Sequence, residues 1–386
     1  MKKILALAMA ALMIFCLFAC AKGKEETNEE EEKSTSQIIV ETNIINGADG
    51  IGTFEYDANE DGDYVITKYN PASVNLVDIE LPKSTNEGRD IVGIAAEAFK
   101  AQNSVKSIII PNTYTTIGKY AFYDCDGLTT VTMADSVTTI CEGAFQACDK
   151  LATVTMSKAV TTVETRAFAN CVALTNVDLS TAVVSIEEAA FIGCSSLESV
   201  TISDKIEFVE RNAFNDCTSL VYTEFDNAKY LGNAANPHLV LARVNDNVKT
   251  CVINDATKIV AVNAFSNSTK LESVTVGAGI KFIDINCFNN TDEMKYNEYE
   301  NAYYLGTATN PYAVLMSVII PSVSNLTIHP DTVIITENAF ANCGSLTDIN
   351  YITKTEADWS NITKIGDWKH DLSIIVYCSG DKKIEA

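Results

Sequence analysis

The sequence is poor in the residues from which catalytic and metal sites are most often built. It has 3 histidines and 2 tryptophans among 386 residues, and the histidines (His238, His329 and His370) lie far apart in the chain. There is no Gly-rich phosphate loop and no zinc motif, and no Ser/His/Asp or Cys/His combination is indicated. We therefore predict no catalytic residue, no bound metal and no cofactor, and we do not expect an enzyme.

Basic residues are also scarce, with 28 Lys and Arg against 51 Asp and Glu and a formal net charge of −23. Such a charge repels the phosphate backbone of nucleic acids and the surface of anionic membranes, so neither is an expected partner. The charge favours solubility and a partner that carries basic patches.

Long apolar runs are missing except at the N-terminus, where two lysines precede an apolar stretch from Ile4 to Phe18. This stretch is short for a membrane span, so residues 1–20 are predicted to be a signal peptide. Residues 17–20, LFAC, resemble a bacterial lipoprotein box, which implies a lipid on Cys20. Phe18 departs from the small residue usual at its place, and ordinary secretion with cleavage elsewhere is the alternative.

The segment that follows is acidic and, apart from Ala21, has no apolar residues with which to build a core. Residues 21–36 include six glutamates together with Ser and Thr, a composition typical of disordered chain. We expect it to be a flexible tether between a lipid and a folded domain. Because no second apolar span occurs, that lipid is the only membrane attachment we predict, and the folded domain is expected to be extracytoplasmic.

The dominant feature that is present is a repeat of 23 residues. A phenylalanine preceded by Ala or Cys recurs at Phe99, Phe122, Phe145, Phe168, Phe191, Phe214, Phe265, Phe288 and Phe340. A fixed period in this range is typical of a solenoid, in which each repeat buries its apolar face on the next. A stack of similar coils presents a long surface, which favours a binding module over an enzyme.

Each repeat combines two apolar periods. Three and six residues after the phenylalanine come Cys and Leu, as at Cys125 and Leu128, a spacing that predicts a short helical or 3₁₀ turn. Nine and eleven residues after it come Val and a second apolar residue, as at Val131 and Met133, which predicts a strand with one face inward. We therefore predict a right-handed solenoid of about 23-residue coils with a parallel β-sheet and short helical or 3₁₀ turns. We expect Phe122, Phe145, Phe168 and Phe191 to stack in one buried column.

The repeat also resembles a known family. Its Leu-x-x-Val-x-(Met/Leu/Ile) segment resembles the leucine-rich repeat, and the preceding (Gly/Glu/Asn)-x-Ala-Phe-x-x-Cys-x-x-Leu is similar to the BspA type of leucine-rich-repeat surface proteins. The resemblance covers roughly residues 54–380. It implies a surface-anchored protein that binds host matrix proteins, other cells or glycans through its solenoid.

Twelve cysteines in a secreted chain raise the question of disulfides. Six of them occupy one position of the repeat, and neighbours there would lie within disulfide range. Five consecutive members cannot all pair, so we favour buried free thiols that act as small apolar residues, while disulfides stay open as the alternative.

The period is broken twice, and the two inserted segments copy each other at an offset of 74 residues. Residues 225–241 match residues 299–315, and each pair of apolar runs flanks a turn from Gly to Asn-Pro, which predicts a hairpin. The expected domains are a capping segment (37–95), the solenoid (96–350) with hairpin inserts at 222–245 and 296–320, and a C-terminal cap (351–386). The hairpin tyrosines, Tyr230 and Tyr304, either form aromatic contact loops or pack beneath their hairpins.

The outward positions of the predicted strands give the candidate binding surface. With the two hairpin tyrosines, the candidate residues are Thr130, Thr132, Thr153, Thr155, Asn176, Asp178, Ser199, Thr201, Tyr230 and Tyr304. Such a polar ladder can bind an extended partner, although Thr and Ser would also be chosen for β propensity and solubility alone.

Two functions are compatible with these features. The first is a monomeric surface lipoprotein that binds an extracellular protein or glycan. The alternative is a glycan-processing or nutrient-capture lipoprotein, which for hydrolysis would need two facing carboxylates in a cleft near Tyr230 or Tyr304.

Overall fold

The structure is a computed structural model that describes residues 43–385 except 49, 180, 367, 371 and 381. The predicted signal peptide, Cys20 and the acidic tether lie outside the described residues. The chain divides into two compact units. The first contains the described residues up to Val200 and Asn212–Leu220, and the second contains Thr201–Arg211 and the chain from Val221 onward.

The first unit is built from short strands. They are β1 (Ile44–Asn46), β2 (Gly52–Ala58), β3 (Tyr64–Pro71), β4 (Val77–Glu80), β5 (Ile91–Ile94), β6 (Val105–Ile110), β7 (Thr116–Ile117), β8 (Thr130–Met133), β9 (Thr139–Ile140), β10 (Thr153–Thr155), β11 (Thr162–Val163), β12 (Asn176–Leu179), β13 (Ser185–Ile186) and the start of β14 (Ser199–Ile202).

Each coil of this unit contributes one strand to each of two sheets. The longer strands form the predicted parallel sheet in the order β14-β12-β10-β8-β6-β4. Its register is one repeat, since Val154 lies opposite Val131. The two-residue strands β7, β9, β11 and β13 form a second parallel sheet together with β3 and β5, in the order β3-β5-β7-β9-β11-β13, and the antiparallel strands β1 and β2 extend it at its N-terminal edge.

The segment around each phenylalanine joins the two sheets. It folds as successive tight turns, with Ala121 N donating to Gly118 O at 3.1 Å and Leu128 N to Cys125 O at 3.0 Å. Left-handed residues flank the phenylalanine two positions to either side, for example Tyr120 (φ 53°) and Asp124 (φ 59°), and they prevent the turns from continuing as a helix. One copy in the second unit is a true 3₁₀ helix, Ile285–Phe288. The predicted short helical or 3₁₀ turn is thus confirmed.

In the first unit the repeat phenylalanines stack in a single buried column, as predicted for Phe122, Phe145, Phe168 and Phe191. In the first unit consecutive ring centroids, from Phe99 to Phe214, are 4.8, 5.1, 5.2, 5.3 and 5.5 Å apart. Four of the five pairs are within 9° of parallel. The rings of Phe122, Phe145, Phe168 and Phe191 are inaccessible to solvent, so this column is the centre of the core.

The cysteines beside this column are free and buried. In the first unit, the five cysteines that follow a column phenylalanine by three residues each donate a hydrogen bond from the thiol to the carbonyl oxygen of the phenylalanine 26 residues before, at 3.0–3.1 Å. The donors are Cys125, Cys148, Cys171, Cys194 and Cys217. The thiols therefore act as small apolar residues and also satisfy a backbone acceptor of the neighbouring coil.

The second unit repeats this plan around the two inserted hairpins. Its strands are β15 (Phe208–Val209), β16 (Thr223–Phe225), β17 (Ala228–Leu231), β18 (Val240–Val244), β19 (Thr250–Val252), β20 (Ile259–Val260), β21 (Ser273–Thr275), β22 (Asn297–Tyr299), β23 (Ala302–Leu305), β24 (Val314–Val318), β25 (Asn325–Thr327), β26 (Ile334–Ile335), β27 (Asp348–Tyr351), β28 (Thr363–Lys364), β29 (Ile375–Cys378) and β30 (Lys382–Glu385), with one α-helix, α1 (Glu356–Asn361).

The two inserts have the same structure. In each, three antiparallel strands, β16-β17-β18 and β22-β23-β24, join the parallel ladder through their last strand. Tyr230 lies opposite Leu241, and Tyr304 lies opposite Leu315. The hairpins are therefore integral strands of the sheets of this unit.

The C-terminal end of the second unit is closed by aromatic side chains and a short helix. The rings of Trp359 and Trp368 are 5.9 Å apart, and Trp368 also packs on Phe340 at 5.7 Å. Helix α1 begins with a capping box between Thr355 and Asp358. Among the described residues, no helix is long and apolar enough to cross a membrane.

Candidate binding surface

The predicted polar ladder lies on the outward face of the longer-stranded sheet. Val131 and Val154 point into the core. The residues on either side of each valine, Thr130, Thr132, Thr153 and Thr155, point outward, as the alternation of a strand requires. Thr153 lies opposite both Thr130 and Asn176, so the side chains form a column across the coils. The outward residues of unit 1 are half-buried (Thr130, Thr132) or exposed (Thr153, Thr155, Asn176, Asp178, Ser199).

The threonine hydroxyls of this ladder differ from those of neighbouring threonines in their hydrogen bonding. Thr129 and Thr175, one residue before their strands, donate to the carbonyl oxygens of Lys106 and Ala152, 23 residues earlier, at 2.9 and 3.4 Å. The ladder hydroxyls of Thr130, Thr132, Thr153 and Thr155 have no hydrogen-bond partner among the described residues. They remain available to water or to a bound molecule.

One edge of this sheet carries a fixed negative charge. Asp78 accepts a hydrogen bond from Ser107 Oγ at 2.6 Å and pairs with Lys106 at 3.5 Å. The hydrogen bond from Ser107, with the charge of Lys106, lowers the pKa of Asp78. Ile109, in the column of Thr132, is 46% exposed, so the ladder has an apolar and an ionised residue at this edge.

Thr201, the last member of the predicted ladder, belongs to the second unit. It is half-buried and forms an isolated parallel bridge with Gly232. Gly232 follows the strand β17 of the first hairpin, so this residue lies in a different setting from the threonines of unit 1.

Tyr230 and Tyr304 occupy the core of their hairpins. Neither ring is accessible to solvent, and their hydroxyls accept hydrogen bonds from the backbone N–H groups of Asn254 (3.3 Å) and His329 (3.2 Å). Burial raises the pKa of Tyr304 to about 12. These positions match the alternative in which the two tyrosines pack beneath their hairpins, and they leave neither ring on the surface.

Partly exposed aromatic rings surround the buried Tyr304. The rings of Tyr312 and His329 stack at 4.1 Å, and Tyr299 meets His329 edge-on at 4.6 Å. His329 Nδ1 accepts a hydrogen bond from the backbone N–H of Asp331 at 3.1 Å. Burial lowers the pKa of His329, so the neutral ring is favoured in this position.

A cleft of about 360 Å³, which the sequence analysis did not predict, lies beside this cluster in the second unit. Its lining comprises Asn310, Pro330, Asp331, Thr332, Val333, Tyr351, Lys354, Asp358, Asn361 and Ile362. Two carboxylates lie here, near Tyr304, as the hydrolase alternative required. However, the hydroxyl and the backbone N–H of Thr355 donate to Asp358 and lower its pKa, whereas a glycosidase acid needs a raised pKa. Asp358 therefore lacks the raised pKa that a glycosidase acid needs.

The described residues contain no group of three or more His, Cys, Asp or Glu side chains arranged to hold a metal ion. The cysteines are poor candidates for ligands, because burial raises the pKa of Cys171, Cys251 and Cys287 to about 12. A metal binds the thiolate, which such burial disfavours.

The family model described as BspA type leucine rich repeat region, present in six copies, matches residues 92–221, 243–357 and 319–368, more than half of the chain. No curated protein matches.

Several solved structures resemble the chain. A T. pallidum leucine-rich-repeat protein is 24% identical, with 56% of this chain and 87% of that chain covered and a TM-score of 0.44. A leucine-rich cell surface protein from Faecalibacterium prausnitzii is 22% identical, with 80% and 96% covered and a TM-score of 0.36. The pneumococcal vaccine antigen PcpA is 14% identical, with 88% and 94% covered and a TM-score of 0.36.

The family match covers the coils that carry the repeat phenylalanines from Phe99 to Phe340 and the cysteines that follow them. The chain therefore belongs to the family of BspA-type leucine-rich-repeat proteins.

Proposed function

We propose that this protein is a bacterial cell-surface interaction protein, which binds an extracellular protein or glycan through the outward ladder of its first unit. The observation that supports the proposal is the column of threonine hydroxyls on the ladder, which have no hydrogen-bond partner among the residues that the structure describes. By contrast, the hydroxyls of the neighbouring Thr129 and Thr175 donate hydrogen bonds to backbone carbonyl oxygens. A flat polar face of this kind offers many weak contacts to an extended partner, and the binding needs no catalysis.

The acidic charge supports the choice of partner. With a net charge of −23, the protein is attracted to partners with basic patches and repelled from nucleic acid. Binding to a basic partner should weaken as salt rises, since exposed charges are screened. We propose a monomer in solution.

The ladder can be tested by comparing two faces of the same unit. In one variant Thr130, Thr153 and Thr155 are replaced by Lys. In the matched control Thr116, Thr139 and Thr162, on the two-residue strands of the other sheet, are replaced by Lys. Both variants change the charge equally, and all six residues are at least partly exposed.

The two variants and the unmodified protein are then applied to an array of matrix proteins and glycans. Loss of binding in the ladder variant alone is the expected result. Equal binding by the ladder variant and the control would contradict the ladder as the binding face. Turnover of any array glycan, abolished by a single Asp or Glu substitution in a folded protein, would instead indicate an enzyme.

We further propose that Cys20 carries the lipid that holds the protein at the membrane. The support is the sequence of residues 17–20 and the acidic segment that follows. One acyl chain binds a membrane only marginally, so stable retention requires several chains on this residue. The variant Cys20→Ser should move from the detergent phase to the aqueous phase in a partition experiment, and unchanged retention would contradict the anchor.

A further inference from the structure

The cleft in the second unit combines an apolar wall with unused polar groups. Val333 is 50% exposed and lines it together with the buried Ile362. An apolar side chain that stays half exposed inside a concavity gains from being covered. The cleft is near the lower end of the size range of ligand pockets, so it fits one long side chain better than an oligosaccharide.

The two carboxylates at the rim of the cleft, Asp331 and Asp358, can accept further hydrogen bonds. Asp331 is 60% exposed in its side chain and approaches Lys354 only to 3.7 Å. Asp358 accepts both of its Thr355 hydrogen bonds on one oxygen, Oδ2, so its Oδ1 has no hydrogen-bond partner among the described residues. One lysine faces two carboxylates, and the cleft keeps a net negative charge.

The remaining polar group is the amide of Asn361. It lines the same cleft, is exposed, and has no side-chain hydrogen bond among the described residues. Asn310, in contrast, is fully engaged, because its amide donates to Asp331 O at 2.7 Å and its oxygen accepts from Tyr312 N. The oxygens that can accept a further hydrogen bond in the cleft are thus those of the Asp331 carboxylate, Oδ1 of Asp358 and the amide oxygen of Asn361.

We propose that this cleft binds the side chain of an arginine presented by a protein partner. The guanidinium carries five N–H donors in a planar fork, which suits several oxygen acceptors at once. Its methylene stem would cover Val333 and Ile362 while the charged head stays at the polar rim. The inference rests on the proposed function only in taking the partner to be a protein, and the chain's net charge of −23 favours a basic one.

The probe is a fluorescein-labelled peptide, Gly-Ser-Arg-Ser-Gly, and a second peptide that carries citrulline, the neutral analogue of arginine. The dissociation constant is measured by fluorescence anisotropy with the full chain, in non-ionic detergent. We expect the arginine peptide to bind and the citrulline peptide to bind at least about threefold more weakly, as for loss of a partly exposed charge pair. Equal binding of both peptides would overturn the proposal.

Two substitutions in the cleft are compared with two matched controls. Asp331→Asn should weaken binding about threefold, whereas Asp246→Asn, an exposed aspartate outside the cleft, should not. Val333→Lys should abolish binding because it places a competing cation in the cleft. Val252→Lys, at a residue of similar exposure (45%) in strand β19, should not. If the controls weaken binding as much as the cleft variants do, general charge attraction explains the binding and the proposal fails.

The ladder variant separates this proposal from the proposed function. The Lys substitutions at Thr130, Thr153 and Thr155 should leave peptide binding unchanged, because those residues belong to the first unit. If the unmodified protein binds the peptide but binds no protein or glycan of the array, the proposed function of the ladder is contradicted and the cleft proposal is not. Loss of peptide binding in the folded ladder variant would overturn the cleft as the site.

Discussion

At the scale of single residues, the repeated cysteine does two things at once. Cys171 is fully buried beside the phenylalanine column, and its thiol donates to Phe145 O at 3.1 Å. A buried carbonyl without a partner is costly. The side chain at this position must therefore be small and apolar and must also donate one hydrogen bond. Few residues other than cysteine meet all three requirements.

Replacing Cys171 separates these contributions. Cys171→Ala should lower the free energy of unfolding by about 1–3 kcal/mol, because the Phe145 carbonyl loses its donor. Cys171→Ser keeps a donor in the same place and should lose less. Circular dichroism during denaturation in urea measures both. If Ser is as destabilising as Ala, the thiol is only an apolar filler.

The phenylalanine column makes a second prediction at this scale. Phe168 is fully buried and stacks on its neighbours at 5.2 and 5.3 Å. Phe168→Ala should cost about 3–5 kcal/mol, as expected for a large-to-small change in a core. Val172→Ala in the same coil, at a residue that is 39% exposed, should cost under about 0.5 kcal/mol. A loss below about 1 kcal/mol for Phe168→Ala in urea denaturation would contradict its place in the core.

At the scale of elements, the coil is held by more than the strand that its sequence predicts. The backbone of the turn also pairs between coils: Phe122 N donates to Ala144 O at 2.7 Å, and Tyr120 N to Glu142 O at 2.9 Å. Each coil of the first unit thus has three lines of hydrogen bonds to the next, along two sheets and along the turns. This leaves the outward face of the longer strands as the part of the coil least constrained by packing.

His329, which packs against Tyr299 and Tyr312 of the second hairpin, should make the stability of this unit depend on pH. Burial lowers the pKa of His329, the charge of Asp331 opposes this effect, and the charge of Lys354 adds to it. The stability given by the neutral ring is fully present above the unfolded pKa of about 6.5. It is lost as the pH falls through the lower folded pKa, since the folded state binds the proton less well.

The variant His329→Asn retains an acceptor for the N–H of Asp331 but does not titrate. Relative to this variant, the unmodified protein should lose stability between pH 7.5 and pH 5.5. Tryptophan fluorescence reports on this unit, because both tryptophans of the chain, Trp359 and Trp368, lie in it. A difference in unfolding free energy that stays constant over this pH range would contradict the prediction.

At the scale of the whole molecule, the repeat explains what the sequence could predict. The Phe and Cys columns and the longer strands are readable because each coil shows them at the same place. The second sheet was not predicted, because its two-residue strands contain one inward residue each, such as Ile117 and Ile140, and so show no alternation.

The cleft was not predicted for a related reason. Its lining comes from three segments around Asn310, Pro330 and Tyr351 that the repeat does not align. The outward direction of the ladder residues could be predicted from strand alternation. The sequence could not predict which threonine hydroxyls donate hydrogen bonds to the backbone. Thr129 and Thr130 are neighbours of identical chemistry, and only the position of the adjacent coil decides that Thr129 makes such a bond.

The same stack makes a prediction about every cysteine that the structure describes. All ten are free and buried, and burial raises the pKa of Cys171, Cys251 and Cys287 to about 12. The reactive thiolate is therefore scarce, and the thiols are shielded. In native protein at pH 7.5, iodoacetamide should modify none of these ten residues, as read by peptide mass spectrometry.

In urea below the unfolding midpoint, Cys378, in the last coil of the second unit, should react before Cys287 of the same unit, because the coils of a repeat stack open from the ends. Rapid labelling of Cys171 in native buffer would show that the inner coils of the first unit are open, and simultaneous labelling of Cys287 and Cys378 in urea would show that the second unit unfolds as one cooperative body.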